Sequence, residues 1–202
     1  MKRLLGIATL ALLISGSALA QNLVTNGGFE TGDLSGWTFS TAPGDAIYSG
    51  VCQNGQGDLS SCSGRDVFDG TYMGSFGPIS ENAYLSQTLS SGITAGHTYD
   101  VSFWLQTGPS PNYFSVSFNG VQLAYISNAE SDPAYFLPWT HYTLTGVATG
   151  DTADLEFTFW QPQDYWELDD VSVVDETPEP ASLTLLGSAL GLGAGFIRRF
   201  RS

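Results

Sequence analysis

Through most of residues 71–174, apolar and polar residues alternate at every second position, the period of a half-buried β-strand. In Tyr99-Asp100-Val101-Ser102-Phe103-Trp104-Leu105, the residues Tyr99, Val101, Phe103 and Leu105 share an apolar face. Asp100, Ser102, Trp104 and Gln106 share the opposite one. Phe114, Val116 and Phe118 repeat the pattern. Asn119-Gly120 then marks a two-residue hairpin, and Val121, Leu123 and Tyr125 form the return strand. Further strands are predicted at Thr71–Phe76, Tyr84–Leu89, around Tyr142 and Leu144, through Leu155, Phe157 and Phe159, and from Trp166 to Val174. Nearer the start, Asn22–Glu30 reads as a first strand closed by a Gly27-Gly28 bend. Asp33–Gly36 is a turn, Trp37–Phe39 is extended, and the segment from there to about Asp66 reads as long loops. No helical period occurs before the last 25 or so residues. Nine or ten strands without alternating helices predict an all-β antiparallel sandwich.

The last strand contains an anomaly. Val171 and Val173 face the core, and the same period carried back places Asp169 on that inward side. A buried carboxylate is costly unless it is paired, protonated or bound to a metal. Cations are scarce. Five of the six lysines and arginines lie at the ends, whereas twenty carboxylates between Glu30 and Glu179 face Arg65 alone, a local formal charge of −19. Such a chain has nothing to neutralise phosphates, so nucleic acid is excluded as a partner, while divalent cations and neutral ligands fit.

Both ends read as export signals. Residues 1–20 have a basic start at Lys2 and Arg3, an apolar run from Leu4 to Ile14, and an Ala18-Leu19-Ala20 cleavage site, the order of a secretory signal peptide. Residues 177–202 hold Pro178-Glu179-Pro180, an uncharged run over 183–197, and Arg198-Arg199-Phe200-Arg201. That run is short for a spanning helix, and its basic end would stay cytoplasmic. The globular part is therefore residues 21–176. In an exported protein, Cys52 and Cys62 are expected to close one small disulfide loop, the alternative being two free thiols.

The tail resembles the PEP-CTERM sorting signal of Gram-negative bacteria, with three features in order at the C-terminus. The resemblance implies export, transient inner-membrane anchoring through residues 183–197, and processing by an exosortase, in systems that accompany exopolysaccharide production. The body resembles the galactose-binding-like jelly roll, which includes carbohydrate-binding modules and related plant cell-wall proteins. The resemblance rests on Asn26-Gly27-Gly28-Phe29-Glu30-Thr31-Gly32 with Gly36-Trp37, Leu85–Leu89, Tyr99–Leu105, Phe114–Gly120 and Leu168–Val173. In that family a structural calcium ion ties the first-strand glutamate to the last-strand aspartate, which implies Glu30 and Asp169 here. Asp170 is a second candidate, because a bulge, were one present, would exchange the roles of the two aspartates. Carbonyls of the Gly27-Gly28 bend and of the loop near Asp69-Gly70-Thr71 would complete an oxygen shell. The alternative is a solvated acidic sheet end.

For sugar contact, Trp104 and Trp160 fall on polar strand faces beside Ser102, Gln106, Glu156 and Thr158, and Tyr113, Trp139, Tyr165 and Trp166 lie near loops. Exposed aromatic faces flanked by hydrogen-bonding groups suit stacking on a sugar ring, although a loop covering Trp104 would serve packing alone. Neither His97 nor His141 pairs with a nucleophile motif, and Asp154, Glu156, Asp164 and Glu167 are carboxylates expected by chance in so acidic a chain. The sequence therefore points to a non-catalytic, exported or cell-surface protein that binds exopolysaccharide through a calcium-stabilised jelly roll. A structural matrix protein without specific glycan binding is the alternative, and a glycoside-acting enzyme a distant one.

Overall fold

The computed structural model describes residues 21–54, 62, 66–129 and 138–176. The signal-like segment 1–20 and the sorting-like tail 177–202 lie outside the described residues. Among the described residues, no helix is long and apolar enough to cross a membrane. Gln21–Glu176 forms one compact unit.

Among the described residues ten strands follow in order: β1 (Thr38–Ser40), β2 (Ser49–Gln53), β3 (Tyr72–Phe76), β4 (Ala83–Leu89), β5 (Thr98–Thr107), β6 (Tyr113–Phe118), β7 (Val121–Ser127), β8 (Thr140–Val147), β9 (Ala153–Trp160) and β10 (Trp166–Asp175). They form two five-stranded sheets. The first runs β1-β4-β9-β6-β7, the second β2-β3-β10-β5-β8, and every pairing is antiparallel. The expected all-β sandwich is therefore the observed architecture.

Period-two alternation builds the core. On β5, Tyr99, Val101, Phe103 and Leu105 are buried against Phe114, Val116, Leu155, Phe157 and Phe159 of the facing sheet. Phe103 meets Phe157 edge-on at 5.3 Å, and Phe76 stacks on Phe159 at 4.4 Å. Each fully buried phenylalanine contributes roughly 1.5–3 kcal/mol of transfer free energy, so this cluster dominates stability.

Two expectations are corrected. Asn22–Glu30 is not a strand. It runs irregularly beside β10, joined by Leu23 N to Val173 O and Val171 N to Gly27 O, with Asn22 Oδ1 accepting from the Val173 amide. Positive φ at Asn26 (54°) and Phe29 (56°) breaks the extended run. Conversely, the segment read as long loops contains β2. Ser49-Gly50-Val51-Cys52-Gln53 shows no clean alternation because it is an edge strand paired only with β3, and just one of its side chains is fully buried.

The glycine-rich opening motif anchors the domain's start. Asn26 holds the following turn: its Nδ2 donates to Asp33 O and Ser35 O, and its Oδ1 accepts from the Thr31 amide. Gly27 lies so close to β10 that a Cβ there would run into the Val171 carbonyl. Gln87 on β4 fastens the segment from the other side. Its Oε1 accepts from Thr25 N at 2.8 Å, and its Nε2 donates to Thr25 O and Gly36 O.

Candidate functional site

The last strand's irregularity decides where the predicted metal residues point. A register shift between Asp169 and Ser172 places Asp170 in a bulge with φ of 52°. Leu168 and Trp166 face the core before the bulge, Val171 and Val173 after it. Asp169 therefore faces outward from the second sheet, opposite Trp104 of β5. The expectation of an inward Asp169 is corrected, because the bulge breaks the period that was carried across it. The carboxylate is nonetheless only 1% exposed.

The segment Asp66–Thr71 lies over it. Phe68 stacks on Trp104 with ring centroids 3.8 Å apart, and Trp139 meets Phe68 edge-on and donates from Nε1 to Asp66 O. Cys52, Cys62 and Met73 form a small second core with Val67 and Trp139. The Cys52–Cys62 disulfide is formed as expected, with sulfurs 1.98 Å apart.

Glu30 and Asp169 both grip this segment. Glu30 Oε1 accepts from the Thr71 and Tyr72 amides at 2.9 and 3.0 Å. Asp169 accepts from Asp69 N at 3.3 Å on Oδ2 and from Asp170 N at 2.8 Å on Oδ1. Gly28 sits between the two carboxylates. A Cβ there would lie 3.7 Å from Glu30 Cγ and 3.8 Å from Asp169 Oδ1. Glu30 and Asp169 thus hold the same backbone segment, while the Asp170 side chain is exposed. Burial pushes the Asp169 pKa up to about 7, against the lowering by the Asp69 and Asp170 amides, and the Asp170 charge raises it further. Among the described residues, no three histidine, cysteine or acidic side chains converge as a metal cluster.

The predicted aromatic residues scatter. Trp166 is 1% exposed, packs against Phe114 at 5.4 Å, and donates from Nε1 to Trp160 O. It belongs to the core and offers no ring face to a ligand, which corrects its place among the sugar-contacting residues. Trp104 is stacked with Phe68 and with His141, so the covering-loop alternative describes it. Trp160 and Tyr113 are different. They are cross-strand partners on the outer face of the first sheet and are half-buried. Trp160 Nε1 donates to Ile79 O, and Tyr113 meets Tyr125 edge-on at 5.2 Å.

One row on that face escaped the sequence reading. Tyr84 of β4 pairs with Thr158 of β9, Thr158 with Ser115 of β6, and Ser115 with Tyr125 of β7. Two tyrosines, 40% and 55% exposed, therefore flank Thr158 and Ser115, which are buried, with Ser115 Oγ hydrogen-bonded to the Tyr113 hydroxyl. The two tyrosines stand three strand intervals apart, about 14 Å. The neighbouring row sets Ser86, Glu156 and Ser117 side by side. The signal for Tyr84 was present, since Leu85 and Leu89 face inward. Tyr125 was hidden because β7 is an edge strand whose alternation is blurred by a bulge at Val116/Ser117.

No family model matches the sequence, and no curated protein does. Solved structures do resemble the domain. TmCBM61, solved in complex with β-1,4-galactotriose, aligns with a TM-score of 0.57 at 20% identity, covering 78% of this chain and all of that one. The CBM22-1 xylan-binding domain of Paenibacillus barcinonensis Xyn10C aligns with a TM-score of 0.50 at 14% identity, covering 81% of this chain and all of that one. The enzymatically active domain of bacteriophage CBA120 tailspike protein 4 aligns with a TM-score of 0.52 at 16% identity, over 76% of this chain and 21% of that one. At these identities the likeness establishes the fold alone: a jelly-roll β-sandwich.

Proposed function

We propose that the domain binds a neutral polysaccharide without chemistry, on the outer face of the first sheet. The observation behind this reading is the row Tyr84–Thr158–Ser115–Tyr125, two exposed aromatic rings at the ends of a row of small, buried side chains. Tyrosine presents a rigid apolar face for the C–H side of a sugar ring, and the half-buried Ser86, Glu156 and Ser117 of the neighbouring row offer hydrogen-bonding groups to its hydroxyls. At about 14 Å apart the rings are too distant for one sugar to touch both, so the row suits an oligosaccharide segment. Trp160 and Tyr113 widen the platform at one end, and Glu156 adds an acceptor beside it. The described residues contain no lysine or arginine, which disfavours strongly acidic polysaccharides. That the solved relatives include modules described with galactotriose and xylan agrees with this class of ligand. The test is affinity electrophoresis with the host's own exopolysaccharide and a panel of neutral polysaccharides. Tyr84→Ala and Tyr125→Ala should each cut retention about tenfold or less, a loss of about 1 kcal/mol per ring. Retention of neither wild type nor variant on any polysaccharide would favour the structural-matrix alternative, and release of reducing ends would indicate an enzyme.

We propose further that Glu30 and Asp169 hold a structural calcium ion. The reading is supported by a buried, outward-facing carboxylate and a second one that both accept from the same backbone segment. Glu30 and Asp169 would supply the charged oxygens, with Asp170 at the rim. The ion would contribute charge neutralisation, and these residues themselves pin Asp69–Tyr72 across the outer face of the second sheet. Export through residues 1–20 and exosortase processing of residues 177–202 complete the reading. Intact-mass analysis of protein from the native host should give a chain that starts at Gln21 and lacks the apolar run.

A further inference from the structure

The start of the globular part adjoins a clamp on β10. Asn22 Oδ1 accepts from the Val24 amide at 3.0 Å and from the Val173 amide at 3.1 Å, and its Nδ2 donates to Val171 O at 3.2 Å. Leu23 N donates to Val173 O at 2.9 Å. Gln21, the residue before the clamp, is exposed, and among the described residues nothing hydrogen-bonds its side chain. The sequence adds an independent observation. Lys2 is the single lysine of the chain and lies in the signal-like segment, and every other cation is an arginine. A chain that starts at residue 21 therefore carries one primary amine, the α-amine of Gln21, whether or not the tail is removed.

We propose that Gln21, once N-terminal, closes into a pyroglutamyl lactam and leaves an exported protein with no primary amine. The inference rests on the cleavage after Ala20 proposed above and goes beyond it. In the step, the neutral α-amine attacks its own side-chain Cδ and a C–N bond forms. The Cδ–Nε2 bond breaks, and Nε2 departs as ammonia with the proton that the amine gives up. No oxidant, reductant or second reactant is consumed. The α-amine titrates near neutral pH, so a fraction of it is uncharged and nucleophilic. Closure within one residue needs only that the amine and Cδ meet, and an exposed side chain without a partner is free to make that approach. The clamp begins at Asn22 and uses neither reacting group, so the ring forms without disturbing it. Two consequences follow from the lost amine. Aminopeptidases have no α-amine to bind, so the chain is not shortened into Asn22 and its three side-chain bonds to the domain. A protein without primary amines also forms no imine with the reducing ends of sugars, which suits non-covalent residence among polysaccharides.

The experiment is intact-mass and N-terminal peptide analysis of the protein exported by its native host, with amine acylation by an active ester in guanidinium chloride. Wild type should start at residue 21, weigh one ammonia less than the linear chain, and take up no acyl group. Gln21→Glu, whose side chain would have to expel hydroxide in place of ammonia, should stay linear and take up one acyl group. An aminopeptidase should remove residue 21 from the variant and nothing from wild type. A wild-type chain that starts at residue 21 with an acylatable amine would overturn the lactam and leave the export reading standing. Loss of ammonia that persists in Gln21→Glu would overturn it as well, because Asn26-Gly27 or Asn119-Gly120 would then be the source. A chain that retains Lys2 or starts elsewhere would overturn the cleavage after Ala20 and the lactam together.

Discussion

Asp169 lends itself to a quantitative test, because its surroundings oppose its own charge. Its pKa stands near 7 in the folded chain against 3.8 for an unperturbed aspartate, with burial the largest cause. The folded state therefore keeps a proton that the unfolded state has already released. In chelator, this group costs nothing below about pH 4. The cost grows as pH rises from 4 to 7 and is complete above 7, where the difference of about three pKa units amounts to about 4 kcal/mol. About 2.5 kcal/mol of that cost arises between pH 5 and pH 8, which for a domain of this size is a fall in melting temperature of roughly 5–10 °C. Asp33 and Asp45 titrate the opposite way. Hydrogen bonds from Ser35 and from the Ser80 amide hold them below the usual range, so their contributions are lost only in acid beneath that window. Glu176, raised by its slight burial and by Asp100, slopes the same way as Asp169.

Asp169→Asn isolates the term. The amide keeps the shape and cannot ionise, although one of the Asp69 and Asp170 amides then faces a donor, a loss of about 1–3 kcal/mol. The variant should thus be less stable than wild type at pH 5 and nearly independent of pH up to 8. Calcium should raise the wild-type melt most at pH 8, where the carboxylate is free to bind, and leave the variant unmoved; at 100 times its dissociation constant the gain is about 2.7 kcal/mol. Chelator melts of wild type that coincide at pH 5 and pH 8, or a variant with the same slope, would refute the reasoning.

Two further outcomes follow from packing. Gly27→Ala drives a methyl group into the Val171 carbonyl, so the opening segment should detach from β10 and urea denaturation should show a loss of at least about 2 kcal/mol. Trp104→Ala should lower the melting temperature by removing the partner of Phe68, while polysaccharide retention stays at the wild-type level; a selective loss of retention would return Trp104 to the ligand face.

How much of this was legible depends on where the period of two survives. On β5, β6 and β9, every inward residue read from alternation is buried, because those strands are central and their partners fix both edges. Alternation fails at β2 and β7, which are edge strands, and at the β10 bulge. The bulge turned Asp169 away from the core, and no propensity at Asp169-Asp170 announced it; an aspartate tolerates the left-handed backbone that Asp170 adopts without being required there. The opening motif was recognisable as a pattern, yet its physical content lies in contacts distant in sequence: Asn26 to Ser35, Gly27 to Val171, and Glu30 to Tyr72.

Trp104 and Trp160 show why candidate ligand residues were harder to read than the core. Both occupy the polar side of a central strand, so the sequence offers the same signal for each. The difference comes from coverage. The second sheet's outer face is occupied where Trp104 stands. Phe68 lies on its ring, Cys52 and Met73 are sealed beneath Val67 and Trp139, and the Glu30 and Asp169 carboxylates fasten the backbone of Asp69–Tyr72 above them. That arrangement gives the buried carboxylates, the disulfide and the aromatic stack one shared consequence, a closed face. The first sheet has no counterpart among the described residues, and its exposed tyrosines stand on strands whose neighbours are serines and threonines. The covered outer face of the second sheet and the exposed tyrosines of the first are together why the proposed ligand is assigned to the first sheet.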